Sequence, residues 1–582
     1  MIKTLLAQVK GFRLVAILTP VCMLGEVICE MIIPILMGRI VDYGVMAGNV
    51  EFIIRTGAVM IVVALLGLTA GILGGFFAAK AGAGLARNLR KAMFDNIQTF
   101  SFSNIDHFST SSLVTRLTTD VTNIQTAFMM TLRMAMRAPS TMIVAMVMSV
   151  IISPRLASIY FIAVAFLAVF MGVMMRTTTR YFKQVFERYD LMNESVQENV
   201  SAIRVVKAYV REDYENKKFR NAAEQIYEMF IRAELRIVSI SPVMMGVVYS
   251  CILLISWFGA NMIVSDTLTT GNLMSLLTYC MNILMSLMML SMIFIMITMS
   301  EASARRIAEV IDEKSSLTNP ENPVMEVPDG SIRFEHVDFS YDPEASEPVL
   351  KDIDLEIRAG ESIGIIGGTG SAKSSLVNLI SRLYDVTKGR ILVGGIDVRE
   401  YDLDVLRRQV AVVLQKNVLF SGTIYENLRW GDENATDEEC RRACVLACAH
   451  EFIEKMPEGY NTYIEQGGTN VSGGQKQRLC IARTLLRKPR ILILDDSTSA
   501  VDTATDAKIR KAFAEEIPDT TRLIISQRIS SVQSCDRIIV MENGRVNGFG
   551  PHEELLAGNR IYREVYESQT GEGADADFDR LT

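Results

Sequence analysis

SIGIIGGTGSAKSSLVNLISRL, residues 362–383, decides how the C-terminal half of this chain is read. The run Ser362 to Ile366 predicts a short buried strand, and LVNLISRL has the apolar spacing of a helix. Between them lies a glycine-rich loop of Gly367, Gly368, Thr369, Gly370, Ser371, Ala372, Lys373, Ser374 and Ser375. Strand, loop and helix in that order make a phosphate cradle, because backbone N–H groups and a helix N-terminus converge on the anion. Lys373 adds positive charge, and the Ser374 hydroxyl is placed to hold Mg²⁺. Ala372 departs from the pattern, which wants glycine immediately before the lysine. Its methyl is expected to crowd the phosphate or resist the backbone angles, weakening binding without abolishing it.

Upstream the character changes. A chain of 582 residues exceeds one core, and its apolar excess, reflected in a mean hydropathy of +0.25, is concentrated before residue 300. Stretches near 14–38, 57–79, 130–152, 156–175, 238–263 and 271–299 are each long enough to cross about 30 Å of hydrocarbon. The two long connections between them carry Arg87, Arg90, Lys91 and Arg116, then Arg180, Lys183, Arg188, Arg204 and Lys207. The positive-inside rule puts both in the cytosol, and an even span count places both termini there too. These connections read as helical extensions that turn around near Asn104 to Phe108 and near Glu198 to Ile203, where contact with the second domain is expected. The reading divides the chain into a transmembrane domain over 1–300, a linker over 301–330, a soluble α/β domain over 331–568 and an acidic, disordered tail over 569–582. The basic, apolar N-terminus lacks a small-residue cleavage site and is read as retained.

Composition excludes some classes. A net charge of -7 with no concentrated basic face argues against a nucleic-acid partner. The nine cysteines show no paired extracellular framework and are read as reduced thiols. Cys440, Cys444 and Cys448, with His450 nearby, are read as small buried residues on one helix face in preference to a metal site.

Further motifs surround the phosphate loop. ILILDD, residues 491–496, predicts a buried strand ending in two carboxylates, with Asp495 suited to holding a metal-bound water. Tyr341, Gln415 within VVLQKNVLFSGTIYENL, VSGGQKQR from Val471 and STSAVD from Ser497 then follow in an order and spacing that resembles the ATP-binding cassette (ABC) exporter family. With six preceding spans, the resemblance covers nearly the whole chain. It implies an α-helical transmembrane domain followed by an α/β P-loop cassette with a mostly parallel sheet and a helical insertion around residues 430–485. It further implies that Tyr341 stacks on the adenine of ATP, and that Gln415 senses the γ-phosphate and Mg²⁺. Ser472, Gly473 and Gly474, opening a helix at Gln475, would cap a γ-phosphate bound on the facing subunit.

Against that family pattern the chain departs at its own catalytic positions. Asp496 stands where a glutamate orients or deprotonates the attacking water, and is shorter by one methylene, about 1.5 Å. Gln527, in LIISQRISSV, stands where a histidine contacts the γ-phosphate, and cannot carry a proton. Ser472 to Gln475 remain intact. This asymmetry resembles the degenerate-site half of heterodimeric multidrug-type exporters, whose partner is a second, non-identical half-transporter with the catalytic glutamate. The remaining alternatives are a homodimeric lipid or peptide exporter with two slow sites, and a protein that uses ATP only to gate. The implied setting is a bacterial cytoplasmic membrane, and the cargo a hydrophobic small molecule, lipid or peptide. Met281, Met285, Met288 and Met292 share one face of the sixth span and could line a polyspecific pocket. Glu26 and Glu30, one turn apart inside the first span, could recognise cationic cargo.

Overall fold

The structure, a computed structural model, describes residues 1–342, 345, 347–496 and 500–570, without the side chains of residues 179, 180, 182, 183, 186, 187, 190, 194 and 237. The acidic tail from Gly571, the start of STSAVD, and the side chains of Arg180 and Lys183 lie outside that set. The chain forms two compact units, Met1–Gln98 with Thr110–Glu313, and Thr99–Ser109 with Lys314 onward.

The first unit holds six helices long and apolar enough to cross a membrane: Arg13–Val45, Val50–Ile97, Thr110–Ile152, Pro154–Thr178, Glu212–Val264 and Thr270–Asp312. A span needs only about 20 residues, so the helix Val50–Ile97, 48 residues long, carries far past the hydrocarbon. Each expected apolar stretch lies within one of these helices. Small residues let the first and sixth spans touch backbone to backbone: a Cβ added at Gly271 would stand 2.0 Å from the Gly38 carbonyl oxygen. Polar groups fasten that seam. Tyr279 Oη donates to the Met31 carbonyl (2.6 Å), Ser275 Oγ to the Pro34 carbonyl (2.8 Å), and the Gly271 N–H to Asp42 Oδ1 (2.7 Å).

One boundary is corrected. The stretch from Glu301 was expected as linker, but the sixth-span helix runs on to Asp312. Ser303, Ala304, Ile307, Ala308 and Val310 keep helical spacing and are buried. Asp120 accepts from Ser303 Oγ at 2.8 Å and from Nε and Nη2 of Arg306, and Arg116 binds Glu309 at 2.7 Å. Charges on this segment are therefore paired along the helix, and the turn formers begin only at Asn319.

In the second unit a six-stranded sheet has the order Arg545–Gly550, Arg537–Glu542, Ser362–Gly367, Thr521–Ile525, Ile491–Asp495, Val410–Val413. All its pairings are parallel except that of the terminal strand Arg545–Gly550. Apolar clusters cover it, as a parallel sheet requires. A four-stranded antiparallel sheet is built on Ile332–Phe339 and Leu350–Ile357. The helical insertion contains Asp437–Leu446 and Gly473–Leu485. Cys440 and Cys444 are buried in its apolar core, and His450 Nδ1 lies 2.9 Å from Tyr460 Oη. The turn expected near Asn104 to Phe108 is a short helix, Phe102–His107, that belongs to this unit. Tyr384 Oη donates to Asp106 (2.6 Å), and Asn104 Nδ2 donates to the Lys314 carbonyl (3.1 Å).

Candidate functional site: a nucleotide pocket at the sheet's carboxyl edge

The strand Ser362–Gly367 lies between two parallel neighbours, so its carboxyl end opens where open α/β sheets bind ligands. The chain must turn sharply there. A Cβ at Gly367 would stand 2.3 Å from the Met541 carbonyl oxygen and 2.7 Å from Ser371 Oγ, so only glycine fits. The helix Lys373–Ile380 starts at Ala372, whose φ of 70° and ψ of 24° are left-handed. For an alanine that conformation costs about 1–2 kcal/mol. Resistance from backbone angles, one of the two effects expected at Ala372, is thus built into the loop, while the residue itself packs against the apolar core.

Lys373 Nζ donates to the Gly367 and Gly368 carbonyls at 2.8 Å each and to Ser371 Oγ at 3.2 Å. Burial lowers its pKa, with Asp495 and Asp496 acting in the opposite sense. Asp495 is buried at the end of its strand; burial raises its pKa, and a hydrogen bond from Ser374 pulls it down. Asp496 follows with a left-handed φ of 47°, its N–H donating to the Ile525 carbonyl at 3.1 Å. Burial raises its pKa too, against Arg528 and Lys373. Strand register collects the remaining positions: Val413 pairs with Leu494, two residues before Gln415, and Ile525 pairs with Asp495, two residues before Gln527. Gln415 and Gln527 are both exposed. Tyr341 Oη lies 2.9 Å from Ser375 Oγ, and its half-exposed ring stands edge-on to Tyr384 at 5.1 Å.

These groups are a phosphate and Mg²⁺ site in kind. Ser374, Gln415 and Asp495 offer only oxygen ligands, which suit a hard divalent cation, and the Ser374 to Asp495 hydrogen bond already joins two of them. The signature stands apart. Ser472 caps the helix Gly473–Leu485 through a reciprocal pair with Gln475 (3.3 and 2.9 Å), and Gly474 presses on Ala500, where a Cβ would meet its carbonyl at 2.7 Å. A helix start of this kind can serve an anionic ligand.

Residues 16–288 match the ABC transporter transmembrane region, and residues 350–499 match the ABC transporter family. Over 98% of its length the chain is 37% identical to the uncharacterised ABC transporter ATP-binding protein YfiB of Bacillus subtilis, covering 99% of that protein. The chain belongs to the ABC transporter family. This ABC transporter is also 36% identical to the uncharacterised ABC transporter ATP-binding protein Rv1273c of Mycobacterium tuberculosis, over 98% of each chain. An ATP-dependent lipid A-core flippase of Desulfotalea psychrophila is 31% identical, over 84% of this chain and 85% of that one. A bacterial Atm1-family ABC exporter solved with ATP bound has the same fold, with a TM-score of 0.81 at 23% identity, over 96% of this chain and 99% of that one. The transporter is thus a multi-pass membrane protein that fuses six spans to one cassette.

Within the spans, the transporter shows what its sequence hid. Glu26 and Glu30 are held by Arg137 of the third span, whose Nη1 reaches Glu26 Oε1 at 2.7 Å and whose Nη2 reaches Glu30 Oε2 at 3.0 Å. Both acids therefore have a cationic partner within the spans. An arginine within the third apolar stretch was the available signal. Met281, Met285, Met288 and Met292 are exposed, while Ile283, Leu284 and Leu287 face the core. A second unforeseen contact lies at the nucleotide edge. Gln569 donates from Nε2 to the Gln527 carbonyl (2.7 Å) and accepts the Ile529 N–H (2.8 Å), clamping the loop from both sides. Nothing local in sequence links positions so far apart.

Proposed function

We propose that this ABC transporter is an ATP-driven exporter of hydrophobic or amphipathic compounds that works as the degenerate-site half of a heterodimer. The observation that carries the reading is the pair of side chains at the carboxyl edge: Asp496 directly after Asp495, and Gln527 beyond the adjacent strand. A carboxylate about 1.5 Å short of the attacking water forfeits much of a general-base effect of about 10²- to 10⁴-fold. An amide in the switch position donates a hydrogen bond but shuttles no proton. Tyr341, the loop from Gly367 to Ser375, Gln415 and Asp495 bind Mg²⁺ and ATP, which turns over slowly here. Ser472 to Gln475 complete a fast site on the partner, a half-transporter bearing glutamate and histidine at the corresponding places. Cassette and termini face the cytosol, as the basic connections imply, and the setting is a bacterial cytoplasmic membrane. ATP closes the paired cassettes, the spans turn outward, and hydrolysis at the partner-dominated site resets them. The exposed methionine face supplies an adaptable apolar surface for cargo.

Co-expression with such a half-transporter and reconstitution in inside-out vesicles tests the proposal. ATP-dependent uptake by the mixed pair, with little by this chain alone, supports it; equal uptake without the second chain refutes it. One observation favours a second reading, a homodimeric lipid exporter: the identity to a lipid A-core flippase. That reading predicts a single polypeptide in the purified active complex.

A further inference from the structure

The segment joining the strand Thr521–Ile525 to the short helix Ile529–Val532 carries Gln527 past the carboxyl edge of the sheet, next to the end of the Asp495 strand. Some of its ties are local: the Ser526 N–H donates to the Ile365 carbonyl (3.3 Å), and the Arg528 N–H to Ser526 Oγ (3.0 Å). The tie at position 527 itself comes from far along the chain. The Gln569 amide donates to the Gln527 carbonyl at 2.7 Å and accepts the Ile529 N–H at 2.8 Å. One planar side chain thus fixes the peptide groups on either side of Arg528. It also gives a partner to one of the N–H groups that a helix start leaves without an intrahelical acceptor.

The helix that bears Gln569, Arg560–Thr570, is itself anchored. Tyr562 is fully buried, its Oη lies 2.7 Å from His552 Nδ1, and its N–H donates to Asn559 Oδ1 at 2.9 Å. Val565 and Tyr566 pack against the same core. Tyr562, Val565, Tyr566 and Gln569 follow at helical spacing, so the face that anchors the helix also carries the Gln569 amide to the loop, about 10 Å along the axis from Tyr562.

We propose that Gln569 is a positioning residue for ATP hydrolysis, holding the backbone of the Gln527 loop so that the side chain at 527 is aimed at the nucleotide. A group that must meet a phosphate needs its backbone fixed to within about 0.5 Å. Released from the clamp, the loop spreads that side chain over several directions, and fewer bound nucleotides meet it in reactive geometry. ATP affinity is held elsewhere, in the loop from Gly367 to Ser375, so the loss falls on kcat and not on KM. The inference rests on the reading of position 527 as the γ-phosphate contact, but not on heterodimer formation or on the cargo.

A double-mutant cycle on the ATPase of the full purified chain tests it, with Asp496→Glu in every member and release of radiolabelled phosphate as the readout, which follows slow turnover too. Combined with Gln527→His, Gln569→Ala should lower kcat by about 10-fold, as the loss of two ordinary hydrogen bonds allows, and leave KM for ATP within about 2-fold. Combined with Gln527→Ala, which leaves no side chain to aim, the same step should cost under about 2-fold. No loss beside Gln527→His overturns the proposal, and so does an equal loss in both backgrounds, the result that a general loosening of the cassette would give. Equal turnover with Gln527→His and Gln527→Ala would instead sink the reading of position 527, and the role of Gln569 with it. Amide hydrogen exchange checks the clamp without catalysis: Gln569→Ala should quicken exchange over residues 526–532 while the segment around Tyr562 stays protected. Unchanged exchange in that loop would also overturn the proposal.

Discussion

Replacing Ala372 with glycine tests whether the alanine in the phosphate loop impairs ATP binding. The left-handed backbone at Ala372 costs about 1–2 kcal/mol, which glycine recovers. Glycine loses about 0.4–1 kcal/mol through the greater freedom of the unfolded chain. It also forgoes the half-buried methyl against the core, about 0.4 kcal/mol if half of one methylene's worth of burial is removed. The net change in stability should be a gain of about 0.5 kcal/mol. ATP affinity is a separate matter. The strain is already present in the loop as it stands, so it appears equally with and without nucleotide and cancels from binding. The methyl packs against the core, which removes the second reason to expect interference. Titration of purified wild type and Ala372→Gly with a fluorescent ATP analogue in the presence of Mg²⁺ should therefore give affinities within about 3-fold, corresponding to under about 0.7 kcal/mol. A gain of 10-fold or more would refute the reasoning, showing that the loop relaxes when free and is forced into the left-handed state only by nucleotide.

Other perturbations follow from the same geometry. Arg137→Leu strands two carboxylates and should destabilise the chain by about 3 kcal/mol, the range for breaking a buried ion pair; adding Glu26→Gln and Glu30→Gln should restore most of the thermal stability, a non-additivity that a melting series measures. Because burial raises the pKa of Asp495, the folded chain holds a proton there that the unfolded chain has already released. Its contribution to stability is full below the ordinary carboxylate value and is lost as pH rises through the raised one. Mg²⁺ requires the ionised form, so the thermal shift caused by Mg²⁺ with ATP should shrink as pH falls through that window and vanish in Asp495→Asn. Met285→Ala with Met292→Ala should change which compounds stimulate ATPase in the assembled transporter; an unchanged profile would assign the exposed stripe no part in cargo contact.

Much of the architecture was legible because its signals are local. A run of apolar residues long enough to span a bilayer announces itself without knowledge of its neighbours, and each stretch lies in one long helix. The phosphate loop is similar, since strand, glycines, lysine and helix are consecutive and the glycine at 367 is demanded by contacts that the turn itself creates. What the sequence could not show was pairing across distance. The partner of Glu26 and Glu30 was not visible because Arg137 is more than a hundred positions away, and the clamp from Gln569 onto the Gln527 loop is no more visible. The helix end at Asp312 was hidden for the same reason: apolar periodicity fades after residue 300, and the partners Asp120 of Arg306 and Arg116 of Glu309 are far away in sequence. Ala372 reads as a simple defect, and only the backbone angles show a strain already present in the loop.

This chain's own nucleotide site is proposed to be chemically weak. The most direct measurement is the steady-state ATPase rate of the purified wild-type chain, with no other protein present, beside that of Asp496→Glu combined with Gln527→His. The claim predicts slow turnover by the wild type and a rise of about 10²-fold or more in the double variant, the lower bound for restored general-base help. Fast turnover by the wild type alone, or a double variant no faster than its parent, would contradict it.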